Sequence, residues 1–100
     1  MEKFVKYNKL FDCYSSLLTE KERACFKDYY EEDLSLQEIA ENNNVSRSAI
    51  HKTIKNVEEK LGLYEENLKL CKIIDELKSI NDINDIEKIK EKANKILENL

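Results

Sequence analysis

His51 is the only histidine of the chain. It has no cysteine or carboxylate at the spacing that a catalytic triad or a metal site requires. Gly62 is the single glycine, so there is no glycine-rich loop to cradle nucleotide phosphates. Asp82, Asn84 and Asp85, in the run Ile80-Asn81-Asp82-Ile83-Asn84-Asp85, offer oxygen ligands, but the central glycine and distal bidentate glutamate of a calcium loop are missing. That run reads as a loop and a helix cap. The sequence therefore predicts a non-enzymatic protein with no metal and no cofactor. The chemistry left is recognition. Ser46, Arg47, Ser48, His51, Lys52 and Lys55 point away from the seam of Ile50, Ile54 and Val57 if this stretch is helical. Donors of that kind reach base edges and phosphates in the major groove, and Arg47 suits guanine best.

The elements that must position these donors are legible from Ser35 to Ile54, SLQEIAENNNVSRSAIHKTI. Ser35 and Glu38 have the spacing of a capping box, which starts a helix near Leu36. Ile39 and Ala40 face inward, the small Ala40 allowing a second helix to approach, and Val45 and Ile50 are expected to oppose them. Asn42, Asn43 and Asn44 fill the turn, where asparagine tolerates the left-handed conformation nearly as well as glycine. Ser46 then caps the second helix. The unit is a helix-turn-helix, motif 35–54.

The flanks carry a resemblance. From Leu18 to Leu61 the pattern LTEKERACFKDYY...LSLQEIAENNNVSRSAI resembles the last helix-turn-helix domain of bacterial sigma factors, region 4. With YNKLFDCYSSLLTEKER, the doublet Tyr29-Tyr30, and TIKNVEEKL running into LYEENLKL, the chain more closely resembles the YlxM family of small sigma-like proteins. About the first seventy residues are covered; the rest matches only as a helical tail. The resemblance implies a regulatory protein of the signal recognition particle pathway, with particle protein or RNA as its partner. Duplex DNA, as for a free-standing transcriptional regulator, is the alternative.

Charge bears on that choice. Residues 1–27 carry six bases and four acids (+2), 28–45 carry six acids and no base (−6), 46–60 carry four bases and two acids (+2), and the remainder is −2. DNA-binding proteins usually present a broad basic face. Here the basic strip is narrow and an acidic surface adjoins it, which suits a basic partner.

One hundred residues with no proline, 38% charged and 41% hydrophobic, describe a single all-α domain of long amphipathic helices. No apolar run is long enough for a membrane span, and the N-terminus lacks the apolar core of a secretion signal, so a cytoplasmic location is expected. Cys13, Cys25 and Cys71 lie on apolar faces without metal-ligand spacing and read as small buried thiols. The architecture predicted is a bundle of about five helices. The first, about Lys3 to Leu17, carries Phe4, Tyr7, Phe11 and Tyr14 on one stripe. The second begins after a Thr19/Glu22 capping box, and the third and fourth form the motif. The fourth continues through Gly62 to about Ser79 on a heptad seam that includes Leu61, Tyr64 and Leu68. A last helix, with a stripe of Ile86, Ile89, Ala93, Ile96 and Leu100, packs back or dimerises, making 62–100 a helical extension. More stripes exist than one small monomer can cover, which predicts a homodimer held by stripes of the first helix, the long helix and the tail, with Phe4, Tyr7, Phe11, Tyr14, Leu61, Tyr64 and Leu68 as the dimer or packing seam.

Overall fold

A computed structural model describes residues 2–100. Among them are six α-helices and no strand: α1 (Glu2–Tyr14), α2 (Glu20–Tyr30), α3 (Leu36–Asn43), α4 (Arg47–Leu68), α5 (Leu70–Ile80) and α6 (Ile86–Glu98). The chain divides into two compact units, Met1–Tyr64 and Glu65–Leu100. None of the described helices is long and apolar enough to cross a membrane.

In the first unit, α1 ends at Tyr14 and passes into a 3-10 turn, Ser15–Leu17, rather than running as one helix to Leu17. The tightening is stabilised by Arg23, whose guanidinium donates to the carbonyls of Ser15 at 3.2 Å and Leu18 at 2.6 Å. Leu18 N already donates to the Ser15 carbonyl at 3.1 Å, so Arg23 adds a second donor there and supplies one to the Leu18 carbonyl beyond the turn. The Thr19/Glu22 capping box then starts α2: Glu22 N donates to Thr19 Oγ1 at 3.1 Å, and Thr19 N to Glu22 Oε1 at 2.9 Å. The stripe of α1 is spent against α2. Phe4 and Tyr7 lie with ring centroids 4.9 and 5.7 Å from Tyr30, and Phe11 stacks on Phe26 at 5.3 Å. Tyr14 meets Tyr64 at 5.8 Å. Phe26, Ile39, Val57 and Leu61 are fully shielded from water. Burying an aromatic or branched aliphatic side chain stabilises by about 1.5–3 kcal/mol, so this cluster is the main source of stability in the first unit.

The fourth helix, expected to reach Ser79, ends earlier. It does pass unbroken through Gly62, but it stops at Leu68, where Lys69 adopts a left-handed conformation, φ 57°. Lys69 N closes the last turn on Glu65 O at 2.9 Å. The Glu65 carboxylate then accepts from Cys71 N at 3.0 Å and Lys72 N at 3.1 Å, supplying the cap from which α5 starts. The seam is buried at Ile50, Ile54, Val57 and Leu61, whereas Leu68 is 54% exposed.

In the second unit α5 and α6 pack on each other. Asp85 caps α6, its Oδ1 accepting from Glu87 N at 2.9 Å and Lys88 N at 3.4 Å. Of the stripe expected on α6, Ile96 is buried and Ile89 half-buried, but Ile86, Ala93 and Leu100 are exposed. Two short helices cannot cover both of their apolar faces. Among the cysteines read as buried thiols, Cys25 is buried and free, while Cys13 and Cys71 are disulfide cysteines, a correction at both positions.

Candidate nucleic-acid interface

The turn between α3 and α4 is built by asparagines. Asn44 sits at φ 55°, ψ 43°, the left-handed residue that ends α3. Val45 N reaches back to Ala40 O at 3.1 Å, and Asn43 Nδ2 donates to Ile39 O at 2.7 Å, so the carbonyls at the end of α3 are satisfied. At the other end of α3 the Ser35/Glu38 box is closed in both directions at 3.1 Å. The Glu38 carboxyl is held below its ordinary pKa by the Ser35 backbone and hydroxyl donors.

Ser46 Oγ accepts from Ala49 N at 3.1 Å and lies 3.2 Å from Ser48 Oγ, which fixes the first turn of α4. Ile39, Ala40, Ile50, Ile54 and Val57 lock α3 and α4 into the interior. Val45 departs from the expected packing: it is 39% exposed. It stands at the rim of a cleft of about 180 Å³ between α2, the turn and α4. The same cleft is lined by Cys25, whose thiol is pushed above its ordinary pKa by burial and then by Asp28.

All six candidate donors, Ser46, Arg47, Ser48, His51, Lys52 and Lys55, are exposed. Ser48, His51, Lys52 and Lys55 lie off the buried seam of α4, whereas Ser46 and Arg47 stand at its first turn, Arg47 three residues before the core Ile50 and on the same face. Arg47, His51 and Lys52 carry no ion pair among the described residues, whereas Lys55 lies 3.4 Å from Glu58 Oε1. The stripe residues Phe11, Tyr14 and Leu61 are buried within the chain, and Phe4, Tyr7 and Tyr64 are half-buried.

Apolar spacing alone does not single out Glu58, which is the one buried charge among the described residues. Its Oε2 accepts a short hydrogen bond from Tyr30 OH and lies 3.5 Å from Lys3 Nζ, so α1, α2 and α4 meet on one carboxylate. The Tyr30 phenol is pushed well above its ordinary pKa by burial first and the Glu58 carboxylate second. A signal exists all the same, because Glu58 stands four residues after the core Ile54, on the apolar side of α4. On the surface, Lys60 Nζ binds Glu22 Oε2 at 2.6 Å, lowering the carboxyl pKa and raising that of the amine. This joins the start of α2 to α4. Exposed helix termini, unpaired cations and a rigid buried seam together make a surface able to bind an anionic polymer.

Comparison with known proteins finds relatives in sequence. The family profile described as "Putative helix-turn-helix protein, YlxM / p13 like", UPF0122, matches residues 1–100. A UPF0122 protein of Fusobacterium nucleatum is 43% identical over 101 residues, covering 100% of this chain and 97% of the relative. One from Desulforamulus reducens is 49% identical over 84 residues, 83% of this chain and 72% of the relative. One from Clostridium botulinum is 48% identical over 93 residues, 92% and 84% respectively.

Proposed function

Because the chain belongs to the UPF0122 family of YlxM/p13-like helix-turn-helix proteins, we propose that it is a non-enzymatic regulator that binds nucleic acid through the first turns of α4. The observation that carries this reading is the exposed set Arg47, His51 and Lys52, without ion pairs among the described residues and displayed on the first turns of a helix whose seam is buried in the core. Arg47 supplies a fork for guanine, Ser46 and Ser48 supply short donors, and Lys52 and Lys55 supply phosphate contacts.

The test is the double change Arg47→Ala, Lys52→Ala. Both side chains are exposed, so the thermal midpoint should hold while affinity for the target duplex or particle RNA falls at least tenfold. Unchanged affinity would return both residues to an ordinary solvated face.

A second reading makes the signal recognition particle the partner, as the resemblance to YlxM implies. It is favoured by the acidic surface at Glu31, Glu32, Asp33 and Glu41, all exposed, which complements a basic protein or an RNA-bound basic loop. Reversing those four to lysine weakens binding to the particle under this reading and strengthens nonspecific DNA binding. Co-purification from cells, scored for particle protein and RNA against promoter DNA, separates the two. The reading also includes a homodimer, supported by the exposed Leu68, Leu77 and Leu97.

A further inference from the structure

Helix α6 sorts its charges. Lys88, Lys92 and Lys95 recur at i, i+4 and i+7 on one side, Glu87, Glu91 and Glu98 fall on the neighbouring side, and Ile89 and Ile96 lie beyond the lysines. The second unit contains more acids than bases, yet none of these three lysines forms an ion pair among the described residues. The hydrogen bond that anchors the row is to a neutral group. Lys92 Nζ donates to Ser79 Oγ at 2.9 Å, and Ser79 Oγ donates in turn to Glu76 O at 2.6 Å, so the lysine is placed against α5 by a neutral partner, with Glu76 and Glu91 lining the clefts beside it. Clefts of about 150 and 290 Å³ on the α5–α6 pair share Lys92 and Lys95 as walls.

Spacing identifies the occupant. From residue 88 to 95 the helix rises about 10 Å at ~1.5 Å per residue. One strand of a duplex carries a phosphate about every 3.4 Å of axis, so this span faces roughly three phosphates. Lysine is a compact point charge without the planar fork that reads a base, which fits a backbone contact carrying no sequence information.

We infer that the Lys88, Lys92, Lys95 edge of α6 is a second contact of this protein with the phosphate backbone of a nucleic-acid duplex. It rests on the nucleic-acid reading above and gives the two surfaces different tasks: α4 selects the site, and α6 adds affinity for any sequence.

The experiment uses the full chain with two probes, a mixed-sequence 24-base-pair DNA duplex and an RNA duplex of the same sequence, each titrated across a range of salt. The variant Lys88→Gln, Lys92→Gln, Lys95→Gln should lower affinity at least tenfold in ~0.1 M salt and flatten the plot of log affinity against log salt. The slope should change by about 0.9 for each phosphate no longer neutralised, close to three in all. The triple change to arginine should keep the slope, because charge alone is required, and helix content by circular dichroism should match the parent in both. The probe bound more tightly names the source of the phosphates. If the parent binds a duplex and the glutamine variant keeps its affinity and slope, the inference is overturned while the role of α4 stands. If instead the α4 double change leaves binding to these mixed-sequence probes untouched and the α6 triple change removes it, this inference stands, and the α4 reading is decided by its own test on the target duplex or particle RNA. Loss of binding to polyglutamate with no change toward either duplex would also overturn it, assigning the edge to an acidic protein.

Discussion

Tyr30 and Glu58 are buried together, the phenol donating to a carboxylate that Lys3 and Lys55 also approach. A buried carboxylate that loses its donor keeps its desolvation cost without compensation, whereas removing both partners can be nearly neutral. Tyr30→Phe should therefore lower stability by about 1–3 kcal/mol, read as a shift in the urea midpoint, and the double change Tyr30→Phe, Glu58→Leu should cost less than the sum of the single changes. The pH dependence has a definite sign. The folded phenol ionises later than the unfolded one, so its contribution is complete below the ordinary tyrosine pKa of about 10 and is lost as pH rises beyond it. Tyr30→Phe should show a shallower alkaline fall than the parent. Sequence exposes half of this pair. Glu58 occupies a core-spaced position, but its partner lies on α2, 28 residues away, and no periodicity within one helix reports a contact between two.

At the scale of elements, what is legible in the sequence is local. Both capping boxes, the asparagine turn and the Asp85 cap depend on residues two to five apart, and the structure forms each of them. The break at Lys69 is not legible, because the heptad pattern carries on through Leu68 and Cys71 and no proline or glycine marks the interruption. The side chain of Glu65 stabilises the break by capping α5, an interaction that apolar spacing does not encode. Gly62 illustrates the converse: the residue that looks like a breaker is plain helix, and a Cβ added there meets nothing within 4 Å. Gly62→Ala should accordingly stabilise the protein by about 1 kcal/mol, seen as a higher melting temperature with unchanged helical spectrum. No gain would mean that α4 needs the freedom of glycine at that point.

For the whole molecule, the aromatic stripe of α1 and the α4 seam are readable as apolar surfaces, but their spacing does not say what covers them. The structure shows α1 packed on α2 and much of the α4 seam buried within the chain. Ser48, His51, Lys52 and Lys55 are legible as exposed because they lie off the α4 seam, and Ser46 and Arg47 because they open the helix, while their target depends on fields and partners outside any one helix. The apolar surface left over includes Leu77 at 51% and Leu97 at 66% exposure. Light scattering should give twice the chain mass at tens of micromolar, and Leu97→Glu should return it to the mass of one chain with its fold intact. A parent of single mass at that concentration would remove the homodimer from the proposal.

The chain has five tyrosines and no tryptophan, so its ultraviolet emission comes from phenols alone. An excited phenol is a far stronger acid than one in its ground state, and a hydrogen-bonded carboxylate takes its proton and darkens it. Tyr30 is held in that state by Glu58. Unfolding should therefore brighten the protein, and the rise should track the parting of α2 from α4, giving folding experiments an optical signal without any label.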